Sequence, residues 1–288
     1  MKLIGICSLV LALVNAGCTA SSTTESFEGT ESPDGELSPL GTSINGTSIN
    51  GTSINGTTLT SPGLSAADFT GTTWSADLSN GGTIQLRIDG SAALAAPNAD
   101  VMTYQVSYAS SSGWSPLCGA DTSGNPVAAI VMAGVWSYEQ GAPGGGGYTP
   151  DASRITFACR GKAIAKCLEM GYRPSASSRS LTSAQQEELV ACTRVLRADY
   201  CGDGRSFTVD GTLINLYDDV GIQADAEPWT IEAEWTSAGA RCTNQASLTR
   251  LAVSGLTPPN CFASKVTVGC GAPAHFHTGT TLMNEFAH

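Results

Sequence analysis

Ten cysteines in 288 residues constrain this chain more than any other feature. Cys7 falls inside an apolar N-terminal run and Cys18 directly follows it. The other eight are Cys118, Cys159, Cys167, Cys192, Cys201, Cys242, Cys261 and Cys270. Such a set reads either as a disulfide framework or as a metal site. Zinc sites draw on closely spaced Cys and His pairs. This chain has no Cys-x-x-Cys pair, and its three histidines, His275, His277 and His288, all lie near its end. The even set therefore implies four disulfides, formed in an oxidising compartment after export. Eight cysteines admit about a hundred connectivities. Helix faces suggest Cys167–Cys192 and nearness suggests Cys261–Cys270.

The N-terminus supports export. Met1 and Lys2 precede an apolar run from Leu3 to Val14, of signal-peptide length and too short to span a bilayer. Ala16, Gly17 and Cys18 then resemble the lipobox of bacterial lipoproteins, in which the cysteine is acylated and becomes the first mature residue. Asn15 stands where that motif has an aliphatic residue, so plain signal-peptidase cleavage near Ala16 is the alternative. Thr19, rather than Asp, after the cysteine points by analogy to the outer membrane or cell surface.

Residues 18–64 read as an acidic tether. No Lys or Arg occurs from Cys18 to Leu86, and Glu25, Glu28, Glu31, Asp34 and Glu36 sit among Ser, Thr, Gly and Pro. Such a segment has too little apolar surface to offset its ordering entropy. Within it Gly-Thr-Ser-Ile-Asn repeats at 41–45, 46–50 and 51–55. Three repeats of five residues are too few to stack into a solenoid, so a flexible or transiently extended spacer is expected. Ile44, Ile49, Ile54 and Leu59 form at most an apolar ladder for a partner.

Residues 65–288 carry the globular domain. Strands are expected at Thr83–Ile88 and Met102–Tyr108 from period-two alternation, at Ala128–Tyr138 from a continuous apolar, β-branched run, and at Thr72–Leu78, which is short and mixed. The Gly141–Gly147 run lacks the Gly-Lys-Ser/Thr of a phosphate loop and reads as a mobile loop. Helical period follows: Ile164, Cys167, Leu168 and Gly171, then Leu189, Cys192 and Leu196, with Ser183 and Gln186 as a capping box. Strands resume at Phe207–Val209, Thr212–Tyr217, Trp229–Trp235 and Lys265–Val268. The fold class is α+β, mainly antiparallel β, with a disulfide-stapled helical hairpin between two strand regions.

At the end of the second helix stands Arg197-Ala198-Asp199-Tyr200-Cys201-Gly202-Asp203-Gly204. With Ala165-Lys166-Cys167, Gly171-Tyr172-Arg173-Pro174, Ala191-Cys192-Thr193-Arg194 and Trp114-Ser115-Pro116-Leu117-Cys118, it resembles the ADYC domain, a bacterial family named for Ala198 to Cys201. The resemblance covers most of residues 70–270. It implies an exported, cysteine-rich module of unknown activity and carries no catalytic residues with it.

Chemistry is sparse. A net charge of -11 excludes nucleic acid as a partner. Neither Gly-x-Ser-x-Gly nor His-Glu-x-x-His occurs. Asp199, Asp203 and Asp210 on a glycine-rich turn invite a calcium reading, but turn aspartates without the EF-hand spacing are the simpler one. His275 and His277 form a metal-site pair only if the C-terminal tail is a strand, and a mobile tail is expected. Glu232 and Glu234, on one strand face near Trp229 and Trp235, suit a glycan hydrolase or a plain solvated face. No cofactor, metal or catalytic residue is assigned. The expected function is a non-enzymatic binding or structural module, anchored to the membrane through Cys18 and facing an unknown surface partner. A carboxylate-dependent glycan hydrolase and a calcium-stabilised adhesive module are the alternatives. Membrane-extracted protein should show an intact mass beginning at Cys18 plus acyl chains, with all eight downstream cysteines protected from alkylation until reduction. An unlipidated mass would remove the anchor.

Overall fold

The computed structural model describes residues 48–49, 52–58, 69–78, 82–151, 154–174, 181–271 and 276–287. The expected signal segment 1–17, Cys18, the acidic stretch 25–36, His275 and His288 lie outside the described residues.

The first half is an antiparallel sheet. It comprises β1 (Ser48–Ile49), β2 (Thr52–Thr58), β3 (Thr73–Leu78), β4 (Thr83–Ala93), β5 (Met102–Ser110), β6 (Gly113–Pro116), β7 (Ala129–Ala133) and β10 (Arg154–Cys159). β8 (Val135–Trp136) and β9 (Tyr148–Thr149) form a small hairpin beside it. Pairing runs β3-β4-β5-β7-β10-β2, and β2 also bonds β3, so six strands close into a ring, with β1 and β6 each paired on one side only. β2 lies in the pentapeptide repeats, where a flexible or transiently extended spacer was expected. Its β-branched Thr and Ile residues complete pairs that β3 and β10 would otherwise leave open. The expected single strand from Ala128 to Tyr138 is broken at Gly134, whose φ is 102° and whose missing Cβ leaves room for the Tyr148 ring.

Alternate residues on one face of these strands, Leu86, Ile88, Tyr104, Val106, Ile155 and Phe157, form one apolar cluster. The opposite face of β7 and β10 contributes Ile130, Met132 and Ala158 to a second cluster, shared with the helices. That double burial explains the continuous apolar runs of these two strands.

α1 (Ala163–Met170) ends on Gly171 in the left-handed conformation, and α2 (Ser183–Arg197) opens with a capping box. The box is Thr182 with Gln185, one residue ahead of the expected Ser183 and Gln186. Cys167 and Cys192 face each other across the hairpin and are bonded, as expected. α2 packs on a second antiparallel sheet ordered β11 (Ile214–Asp218), β14 (Leu282–Phe286), β12 (Thr230–Thr236), β13 (Gly239–Thr243).

Three expectations for this half are corrected. Phe207–Val209 is not a strand, because its backbone follows the turn out of α2, Phe207 N–H bonding Arg197 O. Lys265–Val268 is not a strand either: Lys265 ends α4 (Phe262–Lys265), which follows the short helix α3 (Leu251–Ser254), and only Val266 bridges to Thr243. The C-terminal residues, expected to be mobile, form β14 at the centre of the sheet, buried at all five positions. Polar Asn284 and Glu285 hid it from a hydrophobicity reading.

The remaining disulfides are Cys118–Cys159, Cys201–Cys261 and Cys242–Cys270, so the expected Cys261–Cys270 pairing is wrong. Phe262 packs edge-on against Tyr200 at 4.9 Å and so delivers Cys261 to Cys201. Replacing both Cys167 and Cys192 by Ala should lower unfolding free energy by about 3 kcal/mol, measured by guanidinium titration. A loss well under 1 kcal/mol would show that packing alone holds the hairpin.

Candidate functional site

The Ala-Asp-Tyr-Cys run sits where α2 ends, and each residue has a distinct structural task. Ala198 adopts φ 54° and caps α2, its N–H bonding carbonyls of the last turn. A non-glycine residue there costs about 1 kcal/mol, offset by its complete burial. The turn aims Asp199 back at the helix. Its carboxylate accepts from Arg194 Nη1, from Gly204 N at 2.8 Å and from Asp203 N at 3.1 Å. Arg194 is itself buried and donates onward to Gly145 O at 2.6 Å and Ser237 O at 3.1 Å.

The glycine run, expected to be mobile, is therefore pinned. Gly145 and Gly146 are buried against Asp203 and Gly204, too close for any Cβ. Gly202, at φ 67°, lies so near the β12–β13 turn that a Cβ would fall 2.1 Å from Ala238 O. Asp203 pairs with Arg205 and Asp210 is exposed, so the three aspartates do not converge on a cation.

Tyr200 reaches the sheet. It stacks on Trp235 with ring centroids 5.4 Å apart, and its hydroxyl donates to Glu232 at 2.5 Å. Glu232 also takes two hydrogen bonds from Arg250 Nε, at 2.8 and 3.1 Å, and one from Asn284 Nδ2 at 2.6 Å. Arg250 continues to the Val195 carbonyl of α2 at 2.5 Å. Burial pushes the Tyr200 phenol well above its ordinary pKa, and the Glu232 charge pushes it the same way, so it stays a donor.

Glu232 and Glu234 do not share a face. The β12–β14 register slips between Ile231 and Ala233, a β-bulge that leaves Glu232 unpaired. Glu232 turns toward Trp235 and the core, whereas Glu234 turns to the outer face. Neither is solvated, since both side chains are fully buried. The bulge was not legible in an alternating sequence, which is why one shared face was expected.

The outer face holds the features with chemical potential. Glu234 accepts from Thr280 Oγ1 at 2.5 Å, Gly271 N at 2.9 Å, Arg241 Nη1 at 3.3 Å and the His277 ring. Burial is the largest influence on its pKa and acts upward. Thr280, the Gly271 N–H and His277 together outweigh it and hold the carboxyl below its ordinary value. Arg241 and His277 border an open cleft of about 370 Å³ with Thr267, Val268, Gly269 and the Cys242–Cys270 bond. On the same face, Asn215 Nδ2 bonds both Asp225 at 2.7 Å and Glu285 at 3.1 Å, beside Tyr217. Of the histidines only His277 is described, and it joins Glu234 rather than a second imidazole. No sequence signal pointed to Arg241, Thr280, Asp225 or Glu285, because turns far apart in the chain bring them together.

These features define a class: a disulfide-framed α+β module, suited to an oxidising environment, built around buried ion pairs at the end of one helix. The model of the ADYC domain family matches residues 66–249, and the chain belongs to that family. No curated protein and no solved structure is significantly similar to it.

The Glu234 carboxyl supplies a pH test. Its folded pKa lies below the unfolded value, so it contributes stability above about pH 4.5, and that contribution is lost as pH falls through the folded value. Between about pH 5 and pH 2 the melting temperature should fall less steeply in Glu234→Gln than in the native protein. Parallel profiles would show that Glu234 gains nothing from its partners.

Proposed function

We propose that this protein is a lipid-anchored, non-enzymatic module of the outer membrane or cell surface, held off the membrane by its acidic N-terminal segment. The observation that carries the reading is the state of its acids. Asp199 is neutralised by Arg194, Glu232 by Arg250, and Glu234 by Arg241 and three further donors. A general acid needs a raised pKa, and that of Glu234 is lowered. The side chains at the family motif support architecture, and the open cleft by Arg241 and His277 is the surface left for a partner. The four disulfides suit an oxidising exterior. No helix among the described residues is long and apolar enough to cross a membrane; the anchor in this reading is Cys18, after the apolar run from Leu3 to Val14.

A second reading, a glycan hydrolase, draws on Asp225 and Glu285. One is exposed and the other buried, and both lie within reach of one amide, a paired carboxylate arrangement of the kind glycosidic hydrolysis uses. Incubation with peptidoglycan, chitin and xylan separates the two. The binding module should release no reducing sugar, while Arg241→Ala should weaken any retention on these polymers. Sugar release abolished by Glu285→Gln would overturn the proposal in favour of the hydrolase.

A further inference from the structure

The floor of the cleft holds a grouping that no function so far described uses. Among the described residues, Glu234, Cys242 and Cys270 bring a carboxylate oxygen and two sulfurs within 4.8 Å of one another, all buried. His277 lies against the same carboxylate oxygen and lines the same cleft. Its side chain is 44% exposed, which leaves the ring room to turn. Bonded to each other, the sulfurs are poor ligands and the grouping is a disulfide beside a buried acid. As thiolates they are strong ones.

We propose that reduction of the Cys242–Cys270 bond turns this grouping into a zinc site, with Cys242 Sγ, Cys270 Sγ, the Glu234 carboxylate and the His277 imidazole as its four ligands. A dithiol supplies the two electrons and is itself oxidised to a disulfide, leaving two cysteine thiols. Zinc then displaces both thiol protons to solvent.

Four features of the site fit this ion. Tetrahedral zinc with bonds of about 2.0–2.3 Å places its ligand atoms about 3.3–3.8 Å apart. The two sulfurs, once reduced, must therefore separate by roughly 2 Å from their bonding distance, while the carboxylate, already within 4.8 Å of both, needs to approach by little more than about an ångström. Two sulfurs with one nitrogen and one oxygen select zinc over calcium or magnesium. The supporting hydrogen bonds are already made: Gly271 N–H and the Thr280 hydroxyl fix the carboxylate, as partners behind a metal ligand do. Charge also balances. Two thiolates and one carboxylate face Zn²⁺ and the Arg241 guanidinium, which lies 3.3 Å from Glu234. The oxidised grouping therefore offers zinc no thiolate, and the reduced one is a four-ligand site whose charge Arg241 completes to zero. That makes metal uptake at the cleft a report of the local redox state, independent of whether the cleft also binds a partner.

The test uses the full chain and Co²⁺ as a spectroscopic stand-in for zinc. The protein is treated with increasing amounts of a phosphine reductant, freed cysteines are identified by alkylation and peptide mass, and Co²⁺ is titrated at each stage. Thiolate-to-cobalt charge-transfer absorption should appear only once Cys242 and Cys270 are free, saturate at one ion per chain, and vanish when Zn²⁺ is added. His277→Ala should weaken Co²⁺ binding at least about tenfold and alter the visible ligand-field bands. Its exposure makes it a substitution the fold tolerates, with circular dichroism as the check. Any of three results would overturn the proposal: reduction that opens other bridges but leaves this one, freed Cys242 and Cys270 that give no charge-transfer band, or a band unchanged in Cys242→Ser or His277→Ala.

Discussion

The buried pair between Arg194 and Asp199 is the contact on which the arrangement of the rest depends. Both side chains are withdrawn from water, and an isolated charge there would cost several kcal/mol. The pair is satisfied only because three separate segments converge on it: the turn after α2, whose Asp203 and Gly204 N–H groups donate to Asp199, and the glycine run at 145–146 and the turn between β12 and β13, whose carbonyls accept from Arg194. The pair therefore acts as a register mark. If any of the three segments shifts, a charge is left buried without its partner. Glycine at 145, 202 and 204 follows from this, since the backbones meet too closely to admit a side chain.

A second buried pair repeats the device one layer further in. Glu232 and Arg250 join β12 to the start of α3, while Tyr200 and Asn284 occupy the remaining acceptor positions of the carboxylate. Buried ion pairs are weak sources of net stability, because desolvation offsets most of the attraction. Stability here rests instead on the apolar cluster between the helices and both sheets and on the four disulfides. The polar networks select one arrangement of that cluster among those of similar apolar burial.

How far the sequence could be read depended on whether a signal was local. Strands β4 and β5 and helices α1 and α2 were legible because their residues alternate or recur with the period of their own element. The Cys167–Cys192 bridge was legible for the same reason, each cysteine lying on the apolar face of one helix. β14 was not, because its Asn284 and Glu285 are polar and buried only through partners on β11 and β12. The outer-face site was illegible as a unit, since Glu234, Arg241, His277 and Thr280 meet only when the chain returns through the centre of the second sheet.

Taken alone, the sequence determined the fold class, the oxidising compartment implied by its cysteines, the hairpin and the family. Each follows from composition or from a period of a few residues, which local backbone geometry imposes. Only the tertiary structure decided the other three disulfide partners, the closing of the first sheet by a repeat strand, and the separation of Glu232 from Glu234 by one bulge. These depend on which distant segments come within hydrogen-bond or covalent reach. That is settled by the packing of the whole core, and a linear pattern does not encode it.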